Sequence, residues 1–88
     1  MPLYAVSYDL NKQKNYPKLW AEFDRLGGHK ALESFYLVDV TSATAQVLRD
    51  HLRQFIDEDD SLIVVPFDKR PSTYRTKQGT KEWLDKKF

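Results

Sequence analysis

The apolar residues of this chain recur with two different periods. Leu3 to Asp9 is a short β-branched and aromatic run that ends on a carboxylate, which predicts a strand. From Tyr16 to Leu26 the apolar residues recur at spacings of three and four, which predicts an amphipathic helix. Asn15 is suited to cap this helix, and Gly27-Gly28 can supply its left-handed stop.

The same order of elements follows in the second half. His29 to Ser34 and Phe35 to Val40 predict either two strands that are joined tightly or one strand that is sharply bent. Thr41-Ser42 offers a cap, and the residues from Ala45 to Ile56 carry a second helical stripe. Leu62 to Val65 is a continuous aliphatic run, which predicts a fourth strand.

The order strand, helix, strand, strand, helix, strand predicts an α+β fold, the ferredoxin-like plait (βαββαβ). In this fold an antiparallel sheet carries both helices on one face. We assign residues 1–66 to this domain. Residues 67–88 form a basic C-terminal extension that packs on this domain or on a partner subunit, with one weakly helical piece around Thr80 to Lys87.

Both faces of the predicted sheet are apolar, because apolar residues occupy alternate and intervening positions of its strands. Two helices can cover only one face, so something else must cover the other. We expect a second copy of the chain, packed sheet to sheet as a homodimer, with Tyr8, Tyr36, Val38 and Phe67 at the interface. The alternative is that residues 67–88 fold back over this face.

Length and composition limit the kinds of protein that this chain can be. A chain of 88 residues is one domain, and without cysteine it has neither disulfides nor a thiolate metal site. No apolar run approaches the roughly 18 residues of a membrane span. We therefore expect a cytoplasmic protein with no membrane partner.

The net charge of +1 hides an asymmetry. Residues 1–66 hold 7 Lys and Arg against 10 Asp and Glu, whereas residues 67–88 hold 7 against 3. Such a basic tail suits a polyanion. Its aromatic residues, Phe67, Tyr74 and Trp83, either stack on bases or anchor the tail to the protein. The candidate nucleic-acid contacts are Lys12, Lys14, Lys30, Lys69, Arg70, Arg75 and Lys77.

Five short motifs, in their order and spacing, carry a family resemblance. They are Tyr8-Asp9, Ser34-Phe35-Tyr36, Thr41-Ser42-Ala43, Leu48-Arg49-Asp50-His51-Leu52 and Asp60-Ser61-Leu62. Over roughly residues 3–66 the chain resembles the small CRISPR-associated ferredoxin-like family, "Cas two", and is similar to the related VapD ribonucleases. Members of that family are homodimers that face their sheets together. They are metal-dependent nucleases or non-catalytic adaptors that hold DNA for an integrase.

The resemblance implies that Asp9 is the catalytic acid and the metal ligand. Two Asp9 carboxylates across a twofold axis could hold Mg²⁺, which prefers several oxygen ligands, and could activate water against a phosphodiester. The alternative is that Asp9 only accepts hydrogen bonds from the turn that follows it.

The predicted function is therefore a homodimeric protein that handles nucleic acid, with magnesium-dependent endonuclease activity at paired Asp9. A non-catalytic DNA- or RNA-binding adaptor and a dimeric protein-interaction subunit are the alternatives. Two other features favour structural roles. His29 and His51 are not paired as metal ligands by their spacing. The acidic run from Asp57 to Asp60 could coordinate a cation, but it is more typical of a solvated turn that repels phosphate.

Overall fold

The computed structural model describes residues 3–9, 16–40 and 44–88. These residues form four strands and three α-helices, and a short 3₁₀ turn at Arg53–Phe55 follows the second helix. In chain order the elements are β1 (Leu3–Asp9), α1 (Tyr16–Arg25), β2 (His29–Leu32), β3 (Phe35–Asp39), α2 (Ala45–Leu52), β4 (Ser61–Phe67) and α3 (Thr80–Lys87). None of these helices is long and apolar enough to cross a bilayer.

The four strands form one antiparallel sheet in the order β2-β3-β1-β4, which confirms the predicted plait. β1 lies in the interior of the sheet and pairs with β4 from Leu3↔Phe67 to Asp9↔Ser61. The apolar run after α1 is two strands rather than one bent strand. The register of these two strands shifts between Lys30 and Leu32, which marks a bulge at this edge of the sheet.

The first face of the sheet packs under α1 and α2. Tyr4, Val6 and Tyr8 of β1 and Tyr36 and Val38 of β3 are all buried there. Their helical partners are Leu19, Phe23, Leu48 and Leu52. The rings of Phe23 and Tyr36 are stacked with their centroids 4.0 Å apart, so an aromatic pair fixes α1 on the sheet.

The second face of the sheet is half covered by the C-terminal extension of the same chain. Leu84 of α3 is fully buried and packs in a cluster with Ala31 and Leu37. The amide of Lys77 donates to the carbonyl of Ala31 over 2.9 Å. The fold-back of residues 67–88 that the sequence left as an alternative is therefore present on the β2–β3 half of this face.

A histidine also joins α3 to the sheet. His29 Nε2 lies 2.8 Å from Thr80 Oγ1, and the Thr80 hydroxyl donates to the carbonyl of Lys77 over 2.7 Å. The Thr80 oxygen therefore accepts the hydrogen bond from the imidazole. Burial lowers the pKa of His29, which favours the neutral ring in this contact.

The β1–β4 half of the second face stays open. Ile63 is 59% exposed and Val65 is 46% exposed, although both are aliphatic strand residues. They pair with Ser7 and Ala5 of β1, and paired residues share a sheet face. Because Ala5 packs against the cluster of Ala31, Leu37 and Leu84, we call Ser7, Ile63 and Val65 the open strip.

The observed helix termini agree in part with those predicted from the sequence. Gly27 follows α1 with a φ of 75°, which is the left-handed stop expected there. The cap of α2 is Thr44, whose side-chain oxygen accepts from the amide of Val47 over 3.2 Å. The caps predicted at Asn15 and at Thr41-Ser42 lie outside the described residues.

Replacing Leu84 with alanine tests whether α3 is an integral part of the fold. The change removes a fully buried side chain and leaves a cavity between α3 and the sheet, so we expect the free energy of unfolding to fall by about 3 kcal/mol. Urea denaturation measures the loss. The matched control is Leu32→Ala at a side chain that is 46% exposed, and equal stability of the two variants would contradict the packing of α3.

Candidate functional site

Asp9 is the last residue of β1, and its side chain is exposed. It follows Ser7 by two positions, so it lies on the same sheet face as the open strip. Within the described part of the chain, its carboxylate makes no hydrogen bond or ion pair. The alternative role, accepting from the turn after Asp9, falls on residues 10–15, which lie outside the described residues.

A second acidic group lies at the same end of the sheet as Asp9. One carboxylate oxygen from each of Asp57, Asp59 and Asp60 falls within 4.8 Å of the others. The amide of Asp57 donates to Asp60 Oδ2 over 2.8 Å, so the turn holds this group together. Since the turn leads into Ser61, which pairs with Asp9, this end of the sheet attracts cations and repels phosphate.

Three of the basic residues predicted to contact nucleic acid interact with other side chains of the protein. Lys30 Nζ lies 4.3 Å from the ring centroid of Trp20, as a cation–π pair. The guanidinium of Arg70 lies 2.7 Å from Asp85, and Lys77 Nζ lies 3.3 Å from Glu33. Because these pairs are at the surface, each stabilises the fold by less than about 1 kcal/mol and can be exchanged for a phosphate.

Of the other predicted nucleic-acid contacts, two are exposed and two lie outside the described residues. The side chains of Lys69 and Arg75 are exposed, and neither has an ion pair among the described residues. The guanidinium carbon of Arg75 lies 5.6 Å from the ring centroid of Tyr74. Lys12 and Lys14 belong to residues 10–15, outside the described residues.

Three of the four residues predicted at the dimer interface lie on the helix-covered face of the sheet. Tyr8, Tyr36 and Val38 are buried under α1 and α2, and the hydroxyl of Tyr8 accepts from Trp20 Nε1 over 2.8 Å. Phe67 does lie on the second face, where it is half-buried and its ring is 6.5 Å from that of Phe88. Successive side chains of a strand point to opposite faces of the sheet. When both faces are apolar, the sequence does not show which face the helices cover.

Sequence reasoning missed an ionic cluster between α1 and α2. The side chain of Glu22 is only 8% exposed, and it accepts hydrogen bonds from Arg25 Nε over 2.8 Å and from Arg25 Nη2 over 2.5 Å. Glu22 Oε2 also contacts His51 Nε2. The hydrogen bonds from Arg25, followed by that from His51, lower the pKa of Glu22 to about 2 against the opposing effect of burial. The spacing of three between Glu22 and Arg25 was the available signal.

Two comparisons with known proteins agree with this fold. The family model described as "CRISPR associated protein Cas2" matches residues 1–74. The crystal structure of a hypothetical protein from Thermus thermophilus matches with a TM-score of 0.68 and 23% identity, over 82% of this chain and 88% of that chain. At this identity the structural likeness shows a common fold. The helix α3 lies beyond the part that the family model matches.

The ionic cluster of Glu22, Arg25 and His51 predicts that the stability of the fold depends on pH. The pKa of Glu22 is lowered from 4.5 to about 2 in the folded state, so its ionised form stabilises the fold above pH 4.5. This contribution is lost as the pH falls from about 4.5 towards 2. We expect Glu22→Gln to lower the melting temperature at pH 6 and to narrow its difference from the wild type as the pH approaches 2. Thermal melts across this range measure it. The control is Glu58→Gln at an exposed site, and a constant difference for Glu22→Gln at all pH values would be evidence against the cluster.

Proposed function

Because this chain belongs to the CRISPR-associated Cas2 family, we propose that it acts on nucleic acid as a homodimer and hydrolyses phosphodiester bonds at paired Asp9 carboxylates. One observation carries this proposal: the exposed Asp9 and the open strip lie on the same face of the sheet. A contact that covers the strip with a second copy would also bring two Asp9 residues towards each other.

The open strip supports the dimer. Ile63 and Val65 expose large aliphatic side chains side by side on β4, although α3 already covers the other half of this face. Exposed apolar strand residues of this kind mark interaction surfaces. A twofold contact buries the same strip on both copies, which is the commonest arrangement of homo-oligomers. In this arrangement α3 can remain on its own sheet.

The donor set at Asp9 fits a hard divalent cation such as Mg²⁺. The carboxylate is exposed and offers oxygen ligands, but one carboxylate is too few for an ion that takes six oxygens. The pair formed across the twofold would hold it with water and phosphate oxygens. A bound Mg²⁺ would supply an activated water and neutralise charge on the phosphate. The acidic turn at Asp57 to Asp60 raises the local concentration of cations at this end of the sheet.

Basic residues of the chain can bind the phosphates of the substrate. Lys69 and Arg75 are exposed cations in the tail, and they can contact the phosphates of a bound nucleic acid. The same two residues support a second candidate function, a non-catalytic adaptor that binds DNA or RNA. The two functions differ in one respect, because binding by an adaptor does not depend on Asp9.

Replacing Asp9 with asparagine separates the two functions. The change removes a metal-binding charge at an exposed site, so we expect a loss of cleavage on the order of 100-fold or more with an unchanged fold. The measurement is cleavage of labelled single-stranded and duplex DNA and RNA with Mg²⁺, and again with EDTA. The control is Asp68→Asn, an exposed acid just beyond the other end of β4. Equal cleavage by wild type and Asp9→Asn would exclude Asp9 as the catalytic group, and binding without cleavage by the wild type would leave the adaptor as the function.

Replacing Ile63 with aspartate tests the dimer. A charge in the centre of the open strip would be buried without a partner in the twofold contact, so we expect dissociation. Sedimentation equilibrium should report twice the monomer mass of 10.4 kDa for the wild type and 10.4 kDa for the variant. The control is Val47→Asp on α2, where the side chain is 57% exposed and outside the strip. A wild-type protein that is monomeric at tens of micromolar would exclude the proposed contact.

A further inference from the structure

The three aromatic residues of the tail have different environments. Phe67 and Trp83 are half-buried and pack against the cluster of Ala31, Leu37 and Leu84. The indole of Trp83 also donates to the carbonyl of Gly27 over 3.3 Å. Tyr74, in contrast, is 81% exposed. Two of the three rings therefore anchor the tail, and the third is presented to solvent.

The backbone beside Tyr74 adopts an uncommon conformation. Arg75 has a φ of 55°, and it is the only non-glycine residue with a positive φ in the part of the chain that the structure describes. A left-handed arginine is unfavourable, and such residues persist where the surrounding structure requires them. The guanidinium carbon of Arg75 lies 5.6 Å from the Tyr74 ring centroid, so the kink places a cation beside the exposed ring.

The segment that carries this pair is held on both sides. Pro71 and Thr76 line a groove of about 270 Å³ on the second face of the sheet, and both are half-buried. After Thr76, the amide of Lys77 is bonded to the carbonyl of Ala31. Tyr74 therefore projects from a fixed segment, and ordering it on a ligand costs little conformational entropy.

Basic residues flank Tyr74 in the sequence, and one of them forms an ion pair with the β2–β3 turn. Lys69, Arg75 and Lys77 surround the ring in sequence, and the ion pair of Lys77 is with Glu33, whose side chain is 82% exposed. Glu33 belongs to the β2–β3 turn. In that turn the carbonyl of Ser34 accepts from the amide of Tyr8, the residue before Asp9. The ion pair of Lys77 with Glu33 therefore lies towards the end of the sheet at which β1 ends.

From these observations we infer that Tyr74 and Arg75 form a stacking site for an unpaired base of single-stranded DNA or RNA. The inference rests on the proposed nucleic-acid function and adds a contact site for the substrate at these two residues. A base can lie on an exposed aromatic ring only when it is not stacked in a duplex, and an adjacent guanidinium extends the platform. Lys69 and Lys77 would contact the phosphates that flank this base.

The test is a titration of the full chain, in EDTA to prevent cleavage, with a fluorescently labelled 12-nucleotide single strand and its duplex. Tyr74→Ala should weaken single-strand binding about tenfold and leave duplex binding unchanged, whereas Tyr74→Phe and Tyr74→Trp should retain it. Tyr74→Ala removes no charge, so the slope of log affinity against log salt should stay the same. Arg75→Ala should lower this slope by about 0.7.

The outcomes separate this inference from the function on which it rests. Equal single-strand affinity for wild type and Tyr74→Ala, with matching melting temperatures, would overturn the stacking site and leave the role of Asp9 untouched. Equal losses on single strand and duplex would also overturn it. A stacking effect in a protein whose Asp9→Asn variant still cleaves would support the site and overturn the catalytic proposal. No binding of the wild type to either probe at low salt would overturn both.

Discussion

The central strand β1 carries apolar side chains on both of its faces, so both faces of the sheet need to be covered by other parts of the molecule. On one face Tyr4, Val6 and Tyr8 require the cover that α1 and α2 provide. On the other face α3 covers the half that lies over β2 and β3. Burial of apolar surface is the main favourable contribution to folding, so a C-terminal segment that is mostly polar is nevertheless held on the sheet by Leu84 and Trp83.

A division of charge accompanies this packing. Asp9 and the turn from Asp57 to Asp60 make one end of the sheet acidic, whereas the tail brings lysines and arginines across the adjacent face. A polyanion would be attracted by the tail and repelled from the acidic end unless a cation neutralised it. Attraction of a polyanion and binding of a cation therefore depend on different residues.

Local periodicity predicted the four strands and the two principal helices, because a half-buried element shows its period in sequence. It also predicted Asp9 as the end of a strand. It could not assign Tyr8, Tyr36 and Val38 to the helix-covered face, because both sides of these strands are apolar. Nor could it separate Tyr74 from Trp83, since their exposure depends on where the tail crosses the sheet. Glu22 and His51 meet only through the packing of α1 on α2.

The order of the strands has a consequence for how this protein is made. β1 pairs with β4, so its first residues find their partner near Phe67, most of a chain length away. On the ribosome the amino-terminal strand is therefore synthesised early but has one unsatisfied edge until β4 has emerged. Contacts of such long sequence separation form slowly, because loop closure precedes the gain from pairing. The nascent chain thus exposes the unpaired backbone donors and acceptors of β1 until β4 is available to pair with them.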